Sequence, residues 1–384
     1  GTWMDGWTKL YQDGHIGGGD DITVASDISV DTTWTPDNEY ILNKVVYVTN
    51  GATLTIEPGT KIYGTRDTVN STFGSLVITR GAKIFASGTA SNPIVFTALE
   101  ERDDPTSLSL TTSQKWGGLI LLGKAVLNDA GNIYLDPTNT TNPPEREIEG
   151  FPAGSSDDIK YGGSDDTDNS GVLRYVSIRY GGYEFATDEE INGLTLGAVG
   201  SGTTIEYVEV YNNSDDGIEF FGGTVNTKYM VMAYNEDESF DMDEGYRGKG
   251  QFWFAIQKNI GNGSDYGGEH DGGNSPDKTL APFAHPTVYN ATWIGASDNG
   301  VYRLKENFGG EYHNSIFTNF KYAFRVDDAV DPTQNIAKQI ADGNLKFNNN
   351  IFWNMADYDG TTASLTKDGD ANELALYAQT GNAY

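Results

Sequence analysis

The sequence predicts an all-β chain wound as a parallel solenoid, and three observations carry that prediction. Alternating runs of three to five residues recur at intervals of roughly 8 to 12 residues, the spacing of short strands separated by turns. One four-residue segment returns with changed charge: Ile218-Glu219-Phe220-Phe221, Phe240-Asp241-Met242-Asp243, Tyr302-Arg303-Leu304-Lys305 and Phe324-Arg325-Val326-Asp327. Glu219 and Asp241 lie 22 residues apart, as do Arg303 and Arg325. A period of that size marks a repeat in which each coil packs only on its neighbours.

Residues 1 to 30, which include Gly17-Gly18-Gly19-Asp20-Asp21, are rich in Gly and Asp and read as an extended leader or cap. Strands are then expected at Val45-Val46-Tyr47-Val48 and Thr53-Leu54-Thr55-Ile56, with a Pro58-Gly59 turn before Lys61-Ile62-Tyr63. The theme repeats at Ser75-Leu76-Val77-Ile78, Gly81-Ala82-Lys83-Ile84 and Pro93-Ile94-Val95-Phe96. Two polar stretches, Glu100 to Lys115 and Asn128 to Asn169, are long for internal loops and are expected as insertions or flaps. Gln251-Phe252-Trp253-Phe254-Ala255-Ile256 reads as a fully buried strand. Helical periodicity is confined to Thr333 to Ile340 and Ala371 to Ala378. The expected organisation is a leader at 1–30, a solenoid at 31–355 and a C-terminal cap or tail at 356–384.

Composition narrows the function classes. Of 384 residues, 55 are acidic and 25 basic, so the formal charge is −30 and the pI about 4.2. Such a field attracts cations and repels nucleic acid and anionic membranes, so no nucleic-acid partner is expected. The 47 Gly and 22 Tyr suit short strands joined by tight turns. There is no Cys, which removes disulfides, thiolate metal sites and cysteine nucleophiles and fits an exported bacterial protein. No apolar run is long enough for a transmembrane helix.

Four motif strings carry a resemblance: Thr53-Leu54-Thr55-Ile56-Glu57-Pro58-Gly59-Thr60, Trp116-Gly117-Gly118-Leu119-Ile120-Leu121-Leu122-Gly123, Asn192-Gly193-Leu194-Thr195-Leu196-Gly197 and Asp215-Asp216-Gly217-Ile218-Glu219-Phe220-Phe221-Gly222-Gly223. With them the chain resembles a group of exported bacterial proteins, common in Bacteroidetes-type organisms, across roughly residues 27 to 330. The resemblance implies a right-handed parallel β-helix with polar loop insertions and an extracellular or cell-surface address. It implies no activity.

In a parallel β-helix, equivalent side chains on successive coils stack about 4.8 Å apart. Alternation then places Ile218, Phe240, Tyr302 and Phe324 inside. Glu219, Asp241, Arg303 and Arg325 form one outer column, and Phe221, Asp243, Lys305 and Asp327 the next. The segment Gly268-Glu269-His270-Asp271 adds Glu269 and Asp271 to these columns and sends His270 inward, which requires a hydrogen-bonded core position or a shifted coil. Like charges stacked at 5 Å repel by about 3 kcal/mol at an effective dielectric of 20. A bound divalent cation, proton sharing or neighbouring basic residues would relieve that repulsion. Glu219, Asp241, Asp243, Glu269 and Asp271 are therefore candidate Ca²⁺ ligands, since Ca²⁺ takes six to eight oxygens; a solvated acidic face and catalytic carboxylates remain the alternatives. Asp215 and Asp216, with Asp237 and Glu238 one coil later, form a second acidic cluster of ordinary turn residues.

Right-handed β-helices include pectate lyases and polygalacturonases. Asp215-Asp216, His270 and Arg303-Leu304-Lys305 loosely match the order of residue types in polygalacturonases, although His270 lies between two acids and no Asn-Thr-Asp precedes the pair. A lyase needs a base beside a cation that acidifies the proton α to a uronate carboxylate. His270, Arg303 and Lys305 are the candidate catalytic residues of that alternative, with a polysaccharide as partner; as salt-bridge partners in a charge ladder they need no catalytic role. The seven Trp and the Tyr residues either fill the core or stack on sugars and partners. The open ends of a solenoid must be capped or used, so end-to-end self-association into a surface filament is a further expectation. The leading expectation is a secreted or cell-surface β-helix with a structural or binding role, stabilised by calcium.

Overall fold

A computed structural model of the chain describes residues 20–128, 145–152, 154, 156–184, 190–259, 264–273, 281–296, 298–327 and 335–384. The expected leader lies outside the described residues as far as position 19. From Asp20 onward the chain is already in a coil: strand Asp20–Thr23 pairs in parallel with Asn38–Leu42, ahead of the boundary at 31 read from the sequence.

Alternating side chains make the strands and parallel pairing stacks them. One sheet holds nine strands, running from Val45–Val48 through Ser75–Ile78, Leu119–Leu122, Leu194–Gly197, Ile218–Phe221, Phe240–Asp243, Gly268–Asp271 and Tyr302–Lys305 to Phe324–Asp327. Every pairing within it is parallel. A 17-stranded sheet supplies the remaining faces. The fold is a parallel β-helix with insertions.

The longest strands of the large sheet, Gly171–Arg179, Thr204–Tyr211, Asn226–Ala233 and Lys249–Ile256, turn a corner midway. Tyr175, Tyr207, Tyr229 and Phe252 make that corner with φ of 48°, 55°, 57° and 57°. Bulky residues are strained in left-handed backbone, whereas Asn tolerates it. Asn290, Asn314 and Asn349 take the same position in later coils. The aromatic corner recovers part of its cost by stacking: Tyr175 on Tyr207 at 4.4 Å, Tyr207 on Tyr229 at 4.3 Å and Tyr229 on Phe252 at 5.2 Å. Gln251 to Ile256 is thus not a fully buried strand. Trp253 and Ala255 point inward, but the turn at Phe252 rotates its ring out to 41% exposure.

Trp34, Trp116, Trp253 and Trp293 are buried, so large rings serve the core first. Phe240 stacks on Trp253 at 4.4 Å and on Trp293 at 5.3 Å, which continues one ring column through successive coils. Trp353 is exposed at the C-terminal end; Trp3 and Trp7 lie outside the described residues.

The insertions pack on the outside. Helix Glu100–Asp103 places Arg102 against Asp21 and Glu39 at 2.8 and 2.7 Å, tying the insertion to the first coil. The antiparallel pair Arg146–Glu147 and Lys160–Tyr161 belongs to the second insertion. Ile148, Ile159 and Tyr161 there join Val77, Ile120, Leu122 and Phe221 of the nine-stranded sheet in a second hydrophobic cluster.

The C-terminal segment closes the last coil. Helix Ala371–Tyr377 starts at a capping box made by Asp370 and Glu373. Gln379 accepts from Phe347 N at 2.6 Å, Asn382 accepts from Asn350 N at 3.0 Å, and Glu373 accepts from Val326 N at 3.1 Å. Side chains there act as a substitute coil, and these backbone groups of the terminal edge are not open for pairing with another chain.

Candidate functional site

The register of the nine-stranded sheet builds the site. Thr195 lies opposite Glu219 and Glu219 opposite Asp241. Met242 opposite His270 then sets Asp241 beside Glu269 and Asp243 beside Asp271. Glu269 is opposite Arg303, which is opposite Arg325, while Asp271, Lys305 and Asp327 follow in the second column. Both outer columns are those expected from alternation. His270 points inward and is fully buried. Its Nε2 is 2.6 Å from the Tyr312 hydroxyl and its Nδ1 2.5 Å from the Glu269 carbonyl oxygen. Burial holds the imidazole down at a pKa of about 3, so it is neutral. A neutral core histidine cannot reach a ligand on the outer surface, and the polygalacturonase-like arrangement of Asp215-Asp216, His270 and Arg303-Lys305 is not assembled.

The basic end of the ladder is paired. Arg303 bonds Glu269 at 2.5 Å and Asp327 at 2.7 Å, and Arg325 meets Asp327 at 3.0 Å. Lys305 contacts Glu269 and lies 2.9 Å from Asp271. Burial disfavours the Lys305 charge, but Asp271 and Glu269 outweigh it and raise its pKa. Arg303 and Lys305 are therefore ion-pair partners rather than free bases, and Glu269 is committed to them. Asp271 is pushed up to about 7 by burial and then by Asp243, and its Oδ1 is buried without a hydrogen-bond partner.

Carboxylates concentrate instead where the turns before the strands meet the ladder. Asp215-Asp216-Gly217, Asp237-Glu238-Ser239 and Asp265-Tyr266-Gly267 stack on successive coils, with Gly217 N bonded to Glu238 O and Gly267 O accepting from Phe240 N. Close approach explains Gly217: a Cβ there would lie 2.4 Å from Asn235 Nδ2 and 2.7 Å from Ser239 O. Asp216 accepts from Glu238 N at 2.9 Å, and Glu238 from Tyr266 N at 3.3 Å. Three overlapping sets result: Asp215, Asp216 and Asp237; Asp216, Glu238 and Asp241; Asp237, Glu238 and Asp265. Within each set, one oxygen per residue lies within 4.8 Å of the others.

Burial, followed by the neighbouring carboxylates, raises Asp215, Asp216, Glu219, Glu238 and Asp241 well above the usual carboxylate range. Asp265, which is less enclosed, is pushed up to about 6 by burial, Asp237 and Glu269. Glu219 accepts from Asn192 Nδ2 at 2.6 Å, and the same amide donates to Glu149 of the second insertion at 2.9 Å. A cleft of about 470 Å³ opens beside these turns, with Glu184, Glu190, Glu236, Asp237, Asp265 and Asn299 in its wall. Asp237 and Asp265 thus belong both to a carboxylate set and to the cleft.

Residues 26–383 match the family model described as pectate-lyase like beta helix domain. The chain belongs to that family. No curated protein and no solved structure matches it. In this pectate-lyase like beta helix, Asp241 is the candidate ligand from the ladder that also joins one of the carboxylate sets; Glu219 adjoins the sets, and Asp243, Glu269 and Asp271 lie farther along the ladder. Asp265 and Glu149 were not singled out by sequence reasoning. The signal for Asp265 was its position two residues before the Gly that immediately precedes a strand, Gly267, matching Asp215 before Gly217. Glu149 comes from an insertion with no periodicity to place it.

Proposed function

We propose that the protein is an extracellular β-helix binding protein whose acidic turns load divalent cations, with Ca²⁺ the best fit. The overlapping carboxylate sets carry this reading. Two oxygens bound to one Ca²⁺ at about 2.3–2.6 Å stand no more than about 5 Å apart, and each set meets that limit. The donor chemistry also fits: all-oxygen ligands from short turns, with no Cys in the chain and the imidazole of His270 turned away. Asp216, Glu238 and Asp241 would hold the inner cation, and Asp237, Glu238 and Asp265 one at the cleft. A bound cation supplies the positive charge that lets these acids ionise together; the protein then presents it to an anionic ligand in the cleft.

Isothermal titration with CaCl₂ tests the reading. Binding that releases protons, and that disappears in Asp216→Asn/Glu238→Gln, is the expected result. Absence of binding in the wild-type protein at neutral pH would count decisively against it.

A polysaccharide lyase is the second reading, favoured by the family membership and by a cation site that opens on a cleft. It needs a base, a role to which Arg303 and Lys305 are ill suited while held in ion pairs and which a cleft residue would take. Turnover of uronate polymers, followed by absorbance of the unsaturated product in the presence of Ca²⁺, separates the two.

A further inference from the structure

The outer surface of the corner-bearing sheet holds a second groove, on a different sheet from the acidic cleft. Its volume is about 730 Å³. Two columns of side chains line it on four successive coils: Thr204, Asn226, Lys249 and Thr287 in one, and Glu206, Lys228, Gln251 and Tyr289 in the other. Coil stacking at about 4.8 Å gives these columns a length of about 14 Å along the helix axis. We propose that this groove binds a glycan chain bearing carboxylate or sulfate groups.

Charge is the first argument. In a chain of net charge −30, this groove presents two cations and one acid. The acid, Glu206, is taken by Arg174 at 2.8 Å. Among the described residues, neither Lys228 nor Lys249 has a carboxylate oxygen within 4.0 Å. Lys228 is held by rings, its Nζ 5.0 Å from the Tyr229 centroid and 5.5 Å from that of Phe252, so its ammonium is positioned without being neutralised. Screening over about 8 Å at physiological ionic strength makes these local charges, not the distant acids, what a bound anion feels.

Shape and lining are the second argument. Hydroxyl and amide groups repeated once per coil suit a linear ligand that offers a hydroxyl at each step, as an extended sugar chain does. Tyr289, 39% exposed, adds an aromatic surface, with His313 stacked 4.7 Å away to hold the ring. Nucleic acid is also anionic, but the groove offers two ammonium groups and one aromatic ring rather than the run of phosphate contacts and stacking platforms that nucleic-acid binding uses.

The experiment is affinity electrophoresis and titration calorimetry in EDTA, with dextran sulfate, polygalacturonate and uncharged dextran as probes. EDTA removes any route through a cation in the acidic cleft. The proposal expects retention by at least one anionic polymer and none by dextran. Lys228→Ala/Lys249→Ala should weaken binding by about tenfold or more, the scale of one lost charge-assisted contact. Because Lys228 supports the corner stack, Lys249→Glu alone is the second variant; among the described residues the Lys249 ammonium lies over no aromatic ring, and this variant should lose binding with an unchanged melting temperature. A preference for dextran sulfate or for polygalacturonate identifies the anionic group. Binding to neither polymer overturns the proposal, as does binding unchanged in both lysine variants. Loss of binding in Asp237→Asn/Asp265→Asn instead places the ligand in the acidic cleft and also overturns it.

Discussion

The nine-stranded sheet solves the problem of its outer face in two ways. In the early coils the outward positions are Tyr47, Val77 and Ile120, with Leu122 beside them, and the second insertion folds over them to make a small core outside the helix. From Glu219 onward the same positions carry Asp241, Glu269, Arg303 and Arg325. The inner face hardly changes across that boundary: Leu119, Leu194, Ile218, Phe240 and Tyr302 are all fully buried. A shared register and a shared interior therefore leave the outer face free to be either a packing surface or a charged one. The insertion spans the boundary, since Tyr161 packs with the apolar half and donates to Glu244 at 2.8 Å, while Arg146 meets Glu244 at 2.6 Å.

The largest effect should come from the apolar half. Leu122→Ala is expected to cost about 2–5 kcal/mol, because it empties a buried site between sheet and insertion. A loss under 1 kcal/mol in denaturant melts, on the scale of an exposed site, would show that the insertion does not pack on the sheet and would erase the contrast between the halves.

Cation loading is the next largest effect and belongs to the charged half. Ca²⁺ at about 100 times its dissociation constant should add about 2.7 kcal/mol to stability. The gain should vanish in Asp216→Asn/Glu238→Gln and survive in Leu122→Ala. If thermal melts show the same Ca²⁺ response in wild type and the acid variant, the cation sits elsewhere.

The acids also predict a pH dependence whose sign is opposite to that of ordinary acid denaturation. Asp265 and Asp271 have folded pKa values of about 6 and about 7, above the unfolded range near 4. Their contribution is complete below pH 4 and is lost as pH rises through 6 and 7. In EDTA, melting temperature should therefore fall between pH 5 and pH 8, and saturating Ca²⁺ should reduce that fall by removing the Asp265 share, since Asp271 lies outside the carboxylate sets. His270 works the other way. Its pKa is lowered to about 3, so its contribution is present above about 6.5 and declines as the solution becomes more acidic. A melting temperature that rises from pH 5 to 8 in EDTA would contradict the raised carboxylates.

The ion pairs grade the remaining effects. Lys305→Met removes the partner of Asp271 and Glu269 and should cost about 1–3 kcal/mol. Adding Asp271→Asn should recover part of that loss, and additive losses in the double-mutant cycle would show that the two groups do not interact. Arg325→Ala, at the more open end, should cost about 0–1 kcal/mol.

Much of this was legible in short stretches of chain. The alternation in Phe240-Asp241-Met242-Asp243 and Tyr302-Arg303-Leu304-Lys305 was enough to place each outer residue, to align Asp241 with Arg303 through Glu269, and to send His270 inward. Strand patterning failed at Phe252, where a left-handed corner turns an apolar residue out of an apparently buried run. The cation ligands were only half legible. Asp215, Asp216, Asp237 and Glu238 stood out as turn acids, but turn acids are common on solvated surfaces, and nothing local separates the two cases.

Local alternation and coil spacing were sufficient to set the fold, the inside and outside of each strand, and the order of charges along the ladder, because side-chain direction in a strand depends on nearest neighbours alone. Burial of the acids was decided by contacts between distant parts of the chain. Glu149 is brought to Glu219 through Asn192, and Arg146 to Glu244, across separations that no period encodes. Desolvation and mutual repulsion depend on those distances, so the chemistry of the carboxylates is a property of the assembled coils.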